Sequence, residues 1–216
     1  PTTNSAACNS TTCSVTSGTL PGGTNTIIIV SGASAAGGFS SPLWKGSAMN
    51  TFSTSTHAAN GADVAMWWIA DSTTTAGTAS FTQTNGRGAI SVFAVTNADI
   101  TNPESGIILG GSASTGSIAI SPTGAVNGDL LFAAVVATGA ATATAGTSTT
   151  LAFTERNCGA NACMLMGGYV DDFATSSNVN LTFGANEAIA YIGVAIASSS
   201  VTTPLSLTDN LGITDT

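Results

Sequence analysis

Cys8 and Cys13, and then Cys158 and Cys163, are the residues of this sequence whose type and spacing most directly prescribe chemistry. Each pair is C-x4-C and closes a short loop, Asn-Ser-Thr-Thr in the first and Gly-Ala-Asn-Ala in the second. Zinc is the competing chemistry, because its sites join short Cys spacings to further Cys or His. With His57 the sole histidine, two local disulfides are the stronger reading. Reduced thiols and a cross-paired arrangement remain as alternatives. Disulfides imply an oxidising, extracytoplasmic setting, so the expected location is extracellular or on the cell surface.

The remaining reactive groups are sparse. Asp171-Asp172 is the acidic doublet, and neighbours on a strand point to opposite faces. With Glu155 or Glu187 they could approach a calcium site, which needs about six to eight oxygen ligands. Solvated rim carboxylates are the preferred reading. A glycosidase pair requires two carboxylates about 5 to 10 Å apart, one with a raised pKa, and no spacing here points to one. His57 lies in STSTHAANGAD, which reads as a loop. Asp63 and any of many serines could be written beside it as a triad, but no G-x-S-x-G elbow accompanies them. No catalytic residue, metal site or cofactor is therefore assigned.

Three tryptophans, Trp44, Trp67 and Trp68, offer aromatic faces of the kind that stack on sugar rings. Trp67 and Trp68 alternate, so one should face outward unless covered; the area a Trp buries favours core packing or a subunit interface, with Trp44 and Trp67 the candidate ligand-stacking residues. Asn9-Ser10-Thr11 and Asn180-Leu181-Thr182 match the N-glycosylation sequon.

Composition narrows the function classes further. Only 6% of the 216 residues are charged, 3 Lys+Arg against 11 Asp+Glu, where a soluble domain carries about 25%. Enzymes gather titratable groups with shifted pKa values into a cleft, and this chain has few to gather. Nucleic acid binding needs clustered cations; Lys45, Arg87 and Arg156 do not supply them. Hydrophobic content of 43% suffices for a sizeable core. No stretch reaches the roughly 18 apolar residues of a membrane span, the longest run being Leu130–Ala137. A start at Pro1, without Met or a basic leader region, reads as a mature chain.

The periodicity is that of strands. They are expected at Thr26–Ser31, Pro42–Lys45, Ala48–Thr54, Asp63–Ala70, Thr78–Thr84 and Ala89–Thr96. Later ones follow at Ser117–Ser121, Asp129–Thr138, Thr150–Thr154, Cys163–Asp171, Asn178–Phe183 and Ala188–Ala197. Asp63–Ala70 puts Val64, Met66 and Trp68 on one face and Trp67 on the other. Asn97–Gly106 and Thr138–Thr150 read as loops, and Gly, Asn, Asp and Pro punctuate the junctions. Many short strands at this spacing indicate a sandwich or barrel.

The segments DVAMWWIADSTTTAGTASFT, GAISVFAVTNADITNPESG and GDLLFAAVVA carry a resemblance. Trp68–Thr82, Thr96–Pro103 and Gly128–Leu131 resemble a β-sandwich module of secreted and surface proteins of prokaryotes and of phage structural proteins. The likeness covers roughly Thr24–Ser198. It implies a single jelly-roll-like antiparallel β-sandwich, all-β, and transfers no active-site residue. Residues 1–23 are then a Ser/Thr-rich segment with its own disulfide, 24–198 the sandwich, and 199–216 an extended terminal strand.

In that last segment, VTTPLSLTDNLGITDT, the residues Leu205, Leu207, Leu211 and Ile213 all fall at odd positions. A period of two buries one face of an extended strand, and a lone strand is not stable in water. It pairs with its own sandwich, or with a neighbouring copy by strand donation, or it is a linker to a further domain; residues 1–23 are the rival and weaker donor. Head-to-tail contacts of the second kind build open filaments when the rotation does not close. The expectation is a structural subunit of an extracellular filament, pilus-like appendage or surface assembly, whose partners are copies of itself. The alternative is a carbohydrate-binding or adhesive module of a cell-surface or phage tail protein, with surface glycans as partners.

Overall fold

The computed structural model describes residues 2–21, 23–35, 38–59, 61–84, 86–139, 142–156, 163–171 and 177–199. They are all-β, with antiparallel sheets in a sandwich-like arrangement and no helix among the described residues. In chain order the strands are β1 Thr2–Cys8, β2 Thr12–Thr16, β3 Ile27–Ser34, β4 Ser40–Trp44, β5 Ser47–Ala48, β6 Asn50–Ala59, β7 Ala62–Ala70 and β8 Thr78–Thr82. They continue with β9 Gly88–Val95, β10 Glu104–Ile120, β11 Leu130–Thr138, β12 Ala143–Ala145, β13 Thr150–Arg156, β14 Met164–Val170 and β15 Val179–Ile196.

Two sheets face one another across the main core. The first has the order β1-β9-β3-β7-β6, and the second β10-β15-β11-β14-β13 with β12 pairing off that path to β15. Each draws its strands from one half of the chain. Edge lies against edge, β1 by β13 and β6 by β10. The inner faces contribute Ile27, Ile29, Met66, Phe93 and Val95 from one side and Phe132, Val136, Leu165, Ile192 and Val194 from the other. Phe93 stacks on Phe132 at 4.6 Å between ring centroids, joining the two halves of the chain.

The alternating partners of these residues are buried as well. Every residue of β3 and β9 is buried, which explains the continuous apolar run Ile27–Val30 in place of alternation. Ile28, Val30, Trp67, Ile90, Val92 and Ala94 face away from the main core and are covered by a third, four-stranded sheet, β2-β8-β4-β5. The outer face of the second sheet is covered differently. The β10–β15 ribbon has register shifts between Ser112 and Ser117, and β-bulges of this kind bend a strand. Beyond them Ile120, Val179, Leu181 and Phe183 lie over Leu131, Val135, Met164 and Met166. Gly193 permits this approach: a Cβ there would collide with the Ile120 side chain.

Several sequence expectations change here. Residues 2–16, where the sequence predicts no strand, supply two: β1 pairs with β9 over its whole length and β2 pairs with β8. STSTHAANGAD is not a loop, because His57 lies on β6 opposite Val64. β6 is an edge strand with a register break between Thr51 and Thr56, so its polar residues show no clean period. The strand expected to begin at Ser117 begins at Glu104.

The stacked pair at the centre gives a test. Phe93→Ala should lower the unfolding free energy by about 3 to 5 kcal/mol, read from the denaturant midpoint at unchanged slope. A loss below about 1 kcal/mol would mean that the two sheets do not meet through this ring.

Candidate functional site

The densest polar cluster is built where β7 ends and the β4–β5 hairpin turns. Lys45 (φ 50) and Gly46 (φ 80) form the two-residue turn, the doubly left-handed geometry that matches strand twist. Trp44 is thereby placed over Asp71. Its Nε1 donates to Asp71 Oδ2 at 2.6 Å, and Lys45 Nζ lies 2.9 Å from the same oxygen. Asp71 Oδ1 accepts from the Thr73 backbone N–H at 2.9 Å and from its hydroxyl at 2.7 Å. Lys45 Nζ also donates to Thr73 Oγ1 at 2.6 Å and Thr75 Oγ1 at 3.0 Å, and sits 5.5 Å from the Trp44 ring centroid.

Burial alone would raise the Asp71 carboxyl. The bonds from Trp44, Lys45 and Thr73 outweigh it and hold the pKa at about 2. A general acid or base needs a pKa near the operating pH. Asp71 is therefore a permanent anion that fastens the hairpin to β7.

Trp44 is 2% exposed and Trp67 3% exposed, so neither presents a ring for ligand stacking. The cause is the third sheet. Trp67 points into it, 5.5 Å from Phe81 and 5.8 Å from Phe39 by ring centroids. Trp68 takes the other face, half-buried, with Nε1 donating to the Thr51 carbonyl at 3.2 Å.

A cavity of about 270 Å³ opens beside β6, lined by Gly38, Phe39, Thr56, His57, Ala58 and Asp63. It brings His57 and Asp63 together as the sequence allowed, but on neighbouring strands of a sheet edge. Burial pushes the Asp63 carboxyl above its ordinary value, and the nearby His57 charge offsets part of that rise. A second cavity, about 250 Å³, lies at the opposite end of the first sheet, where Val95, Asn97, Leu130, Asp171 and Ile196 meet Ser198. Ser198 and Ser199 lie there, the Ser199 N donating to the Asn97 carbonyl at 2.7 Å.

Asp171 and Glu187 lie near opposite ends of β11, so they do not converge on one cation. No group of three or more metal-ligating side chains occurs among the described residues. Asp172, Cys158, Leu205, Leu207, Leu211 and Ile213 lie outside the described residues. Asp129 was missed by sequence reasoning. It is buried and accepts from Val126 N at 2.9 Å and from the Ser105 hydroxyl, tying the turn before β11 to β10. A lone Asp between a turn glycine and a long apolar run was its signal.

Cys8 and Cys13 form the expected disulfide, with Cα atoms 5.2 Å apart. It joins β1 of the first sheet to β2 of the third. Cys163 is also disulfide-bonded. Asn9 is exposed in the first disulfide loop, whereas Asn180 is half-buried on β15. Compared with protein-family models, with curated proteins and with solved structures, the chain matches none.

The Asp71 cluster has a pH signature. A depressed folded pKa adds stability that is present above the unfolded value of 3.8 and lost as pH falls through about 2. Asp71→Asn should remove on the order of 2 kcal/mol at neutral pH and flatten the stability profile between pH 4 and 2. Denaturant midpoints of both proteins across that range check this; parallel profiles would show that the carboxylate is not the fastener.

Proposed function

We propose that this chain is a structural subunit of an extracellular filament or surface assembly, joined to copies of itself by strand donation from residues 201–216. The observation that carries the reading is the single apolar face Leu205, Leu207, Leu211 and Ile213 in a segment that follows the last strand of the sandwich. The sandwich does not need that face for its own layers, because a third sheet and a folded-back ribbon already cover both outer sides. The acceptor would be β10, which among the named strands pairs only with β15 and lies by β6 without pairing to it. From Ser105 to Ile120, β10 carries no charged residue and no proline, the devices with which proteins block edge pairing.

The surface is consistent with this role. Its large exposed hydrophobics among the described residues are Ile100 and Val126, which are too scattered to form a binding patch. Solvation rests on Ser and Thr hydroxyls rather than on charge. Like the resemblance to sandwich modules of secreted and phage structural proteins, this fits a protein that spends its life among copies of itself.

The second reading, a carbohydrate-binding or adhesive module, draws on the cavity of Phe39, Thr56, His57 and Asp63. It no longer draws on Trp44 or Trp67. Negative-stain electron microscopy of the full chain beside a truncation lacking Val201–Thr216 separates the two. Filaments that vanish on truncation are expected. Dispersed monomers in both samples overturn the assembly reading and leave the module.

A further inference from the structure

Two asparagines of this chain share one sequence pattern and have opposite surroundings. Asn9-Ser10-Thr11 forms most of the loop closed by the Cys8–Cys13 disulfide. Its backbone is pinned from one side: the Gln83 carboxamide donates to the Ser10 carbonyl at 3.0 Å, and Gln83 N donates to the Thr11 carbonyl at 2.7 Å. Gly86 lets the loop seat closely, since a Cβ there would lie 3.3 Å from the Ser10 carbonyl carbon. With the carbonyls turned inward, Asn9, Ser10 and Thr11 are all exposed. The Ser10 hydroxyl is taken by the Thr12 carbonyl.

Asn180-Leu181-Thr182 is held on both sides. Asn180 pairs with Ala119 of β10, and Thr182 pairs with Ser117 of β10 and Thr144 of β12. The Asn180 carboxamide nitrogen donates to the Asn178 carbonyl at 3.1 Å, and a Cβ on Gly146 would press against its Cβ at 2.8 Å. Leu181, between them, is 1% exposed in the core. A sugar on this nitrogen would take one of its two protons, leaving a single N–H for the Asn178 and Thr147 carbonyls, and would have to clear the close approach of Gly146.

We propose that Asn9 is an N-glycan acceptor and that Asn180 is not. In the transfer, Asn9 Nδ2 forms a bond to the anomeric carbon of a lipid-linked oligosaccharide. The lipid phosphate leaves with the bonding pair, and the carboxamide loses one proton; nothing is oxidised or reduced. Sequon chemistry of this kind belongs to surface loops of secreted proteins, and the disulfide in the same loop belongs to that oxidising setting. The inference rests on the extracytoplasmic part of the proposed function, not on filament formation. Asn9 follows Cys8, which pairs with Gly88 at one end of β9, whereas Ser198 lies beside Val95 at the other. A glycan on Asn9 stands away from that end.

The test is peptide mass analysis of the chain isolated from the cells that make it, digested without reduction. The Asn9 peptide should carry a glycan mass and the Asn180 peptide its bare mass. Asn9→Gln and Thr11→Ala should each abolish the glycan, and Thr11→Ser should retain it. A bare Asn9, or a glycan on Asn180, overturns the proposal. The same digest reports the Cys8–Cys13 bridge. Bridged cysteines beside a bare Asn9 refute this site alone, and reduced cysteines refute the extracytoplasmic setting with it.

Discussion

The constraint on which the structure depends is that its two central sheets are apolar on both faces. Ile27 to Val30 are consecutive and all 0% exposed, as are Leu131 to Ala137. Adjacent strand residues point in opposite directions, so each such run demands cover on two sides. Leaving one side wet would forfeit roughly 1.5 to 3 kcal/mol for every Val, Leu or Ile on it. The third sheet and the folded-back ends of β10 and β15 answer that demand. Stacked layers also leave few strand positions that face water, so most polar residues lie on edges, turns and covering strands, with Ser31 and Ser91, paired across β3 and β9, buried between layers.

How much of this was legible depended on whether neighbours or the strand itself decided the outcome. The parity of β7 and β9 could be read directly: Val64, Met66 and Trp68 oppose Trp67, and Ile90, Val92 and Ala94 oppose Phe93 and Val95, as alternation requires. The burial of Trp44 and Trp67 was the fate their area favoured, but the layer that covers them was not legible, because it comes from strands far away in sequence. β1 was hidden for another reason. Its residues are small or polar, and its place is set by backbone pairing to β9, which has no compositional signature.

Glycine misled in the stretch before Ser117. Gly106 reads as the end of a loop and Gly110 falls in a stretch assigned no strand, yet both lie within β10. A Cβ on Gly106 would strike the Thr123 carbonyl, and one on Gly110 would strike the Tyr191 ring. They mark close approach, not a turn. In the candidate sites, Asp71 and Thr73 form a local motif visible in DSTTT, but Lys45 and Trp44 arrive from another hairpin. The doublet Asp171-Asp172 was the more conspicuous acidic signal and gathers nothing among the described residues.

The polar chemistry of this chain is spent on holding layers together. The third sheet consists of strands of five, five, five and two residues, and more than backbone pairing holds it in place. It is fastened to the first sheet at both ends of β8. At the Phe81–Thr82 end, Cys13 is bonded to Cys8 of β1. At the Ala79 end, Trp44 and Lys45 hold Asp71, which follows β7. The two fasteners respond to different conditions. One is broken by reductants and indifferent to pH, while the other is lost only in strong acid and indifferent to redox state. Between them lie Trp67, Phe81 and Phe39, whose burial depends on the sheet staying in place. With little surface charge to resist association, the chain holds the layer over its aromatic face by two bonds of different chemistry rather than by one.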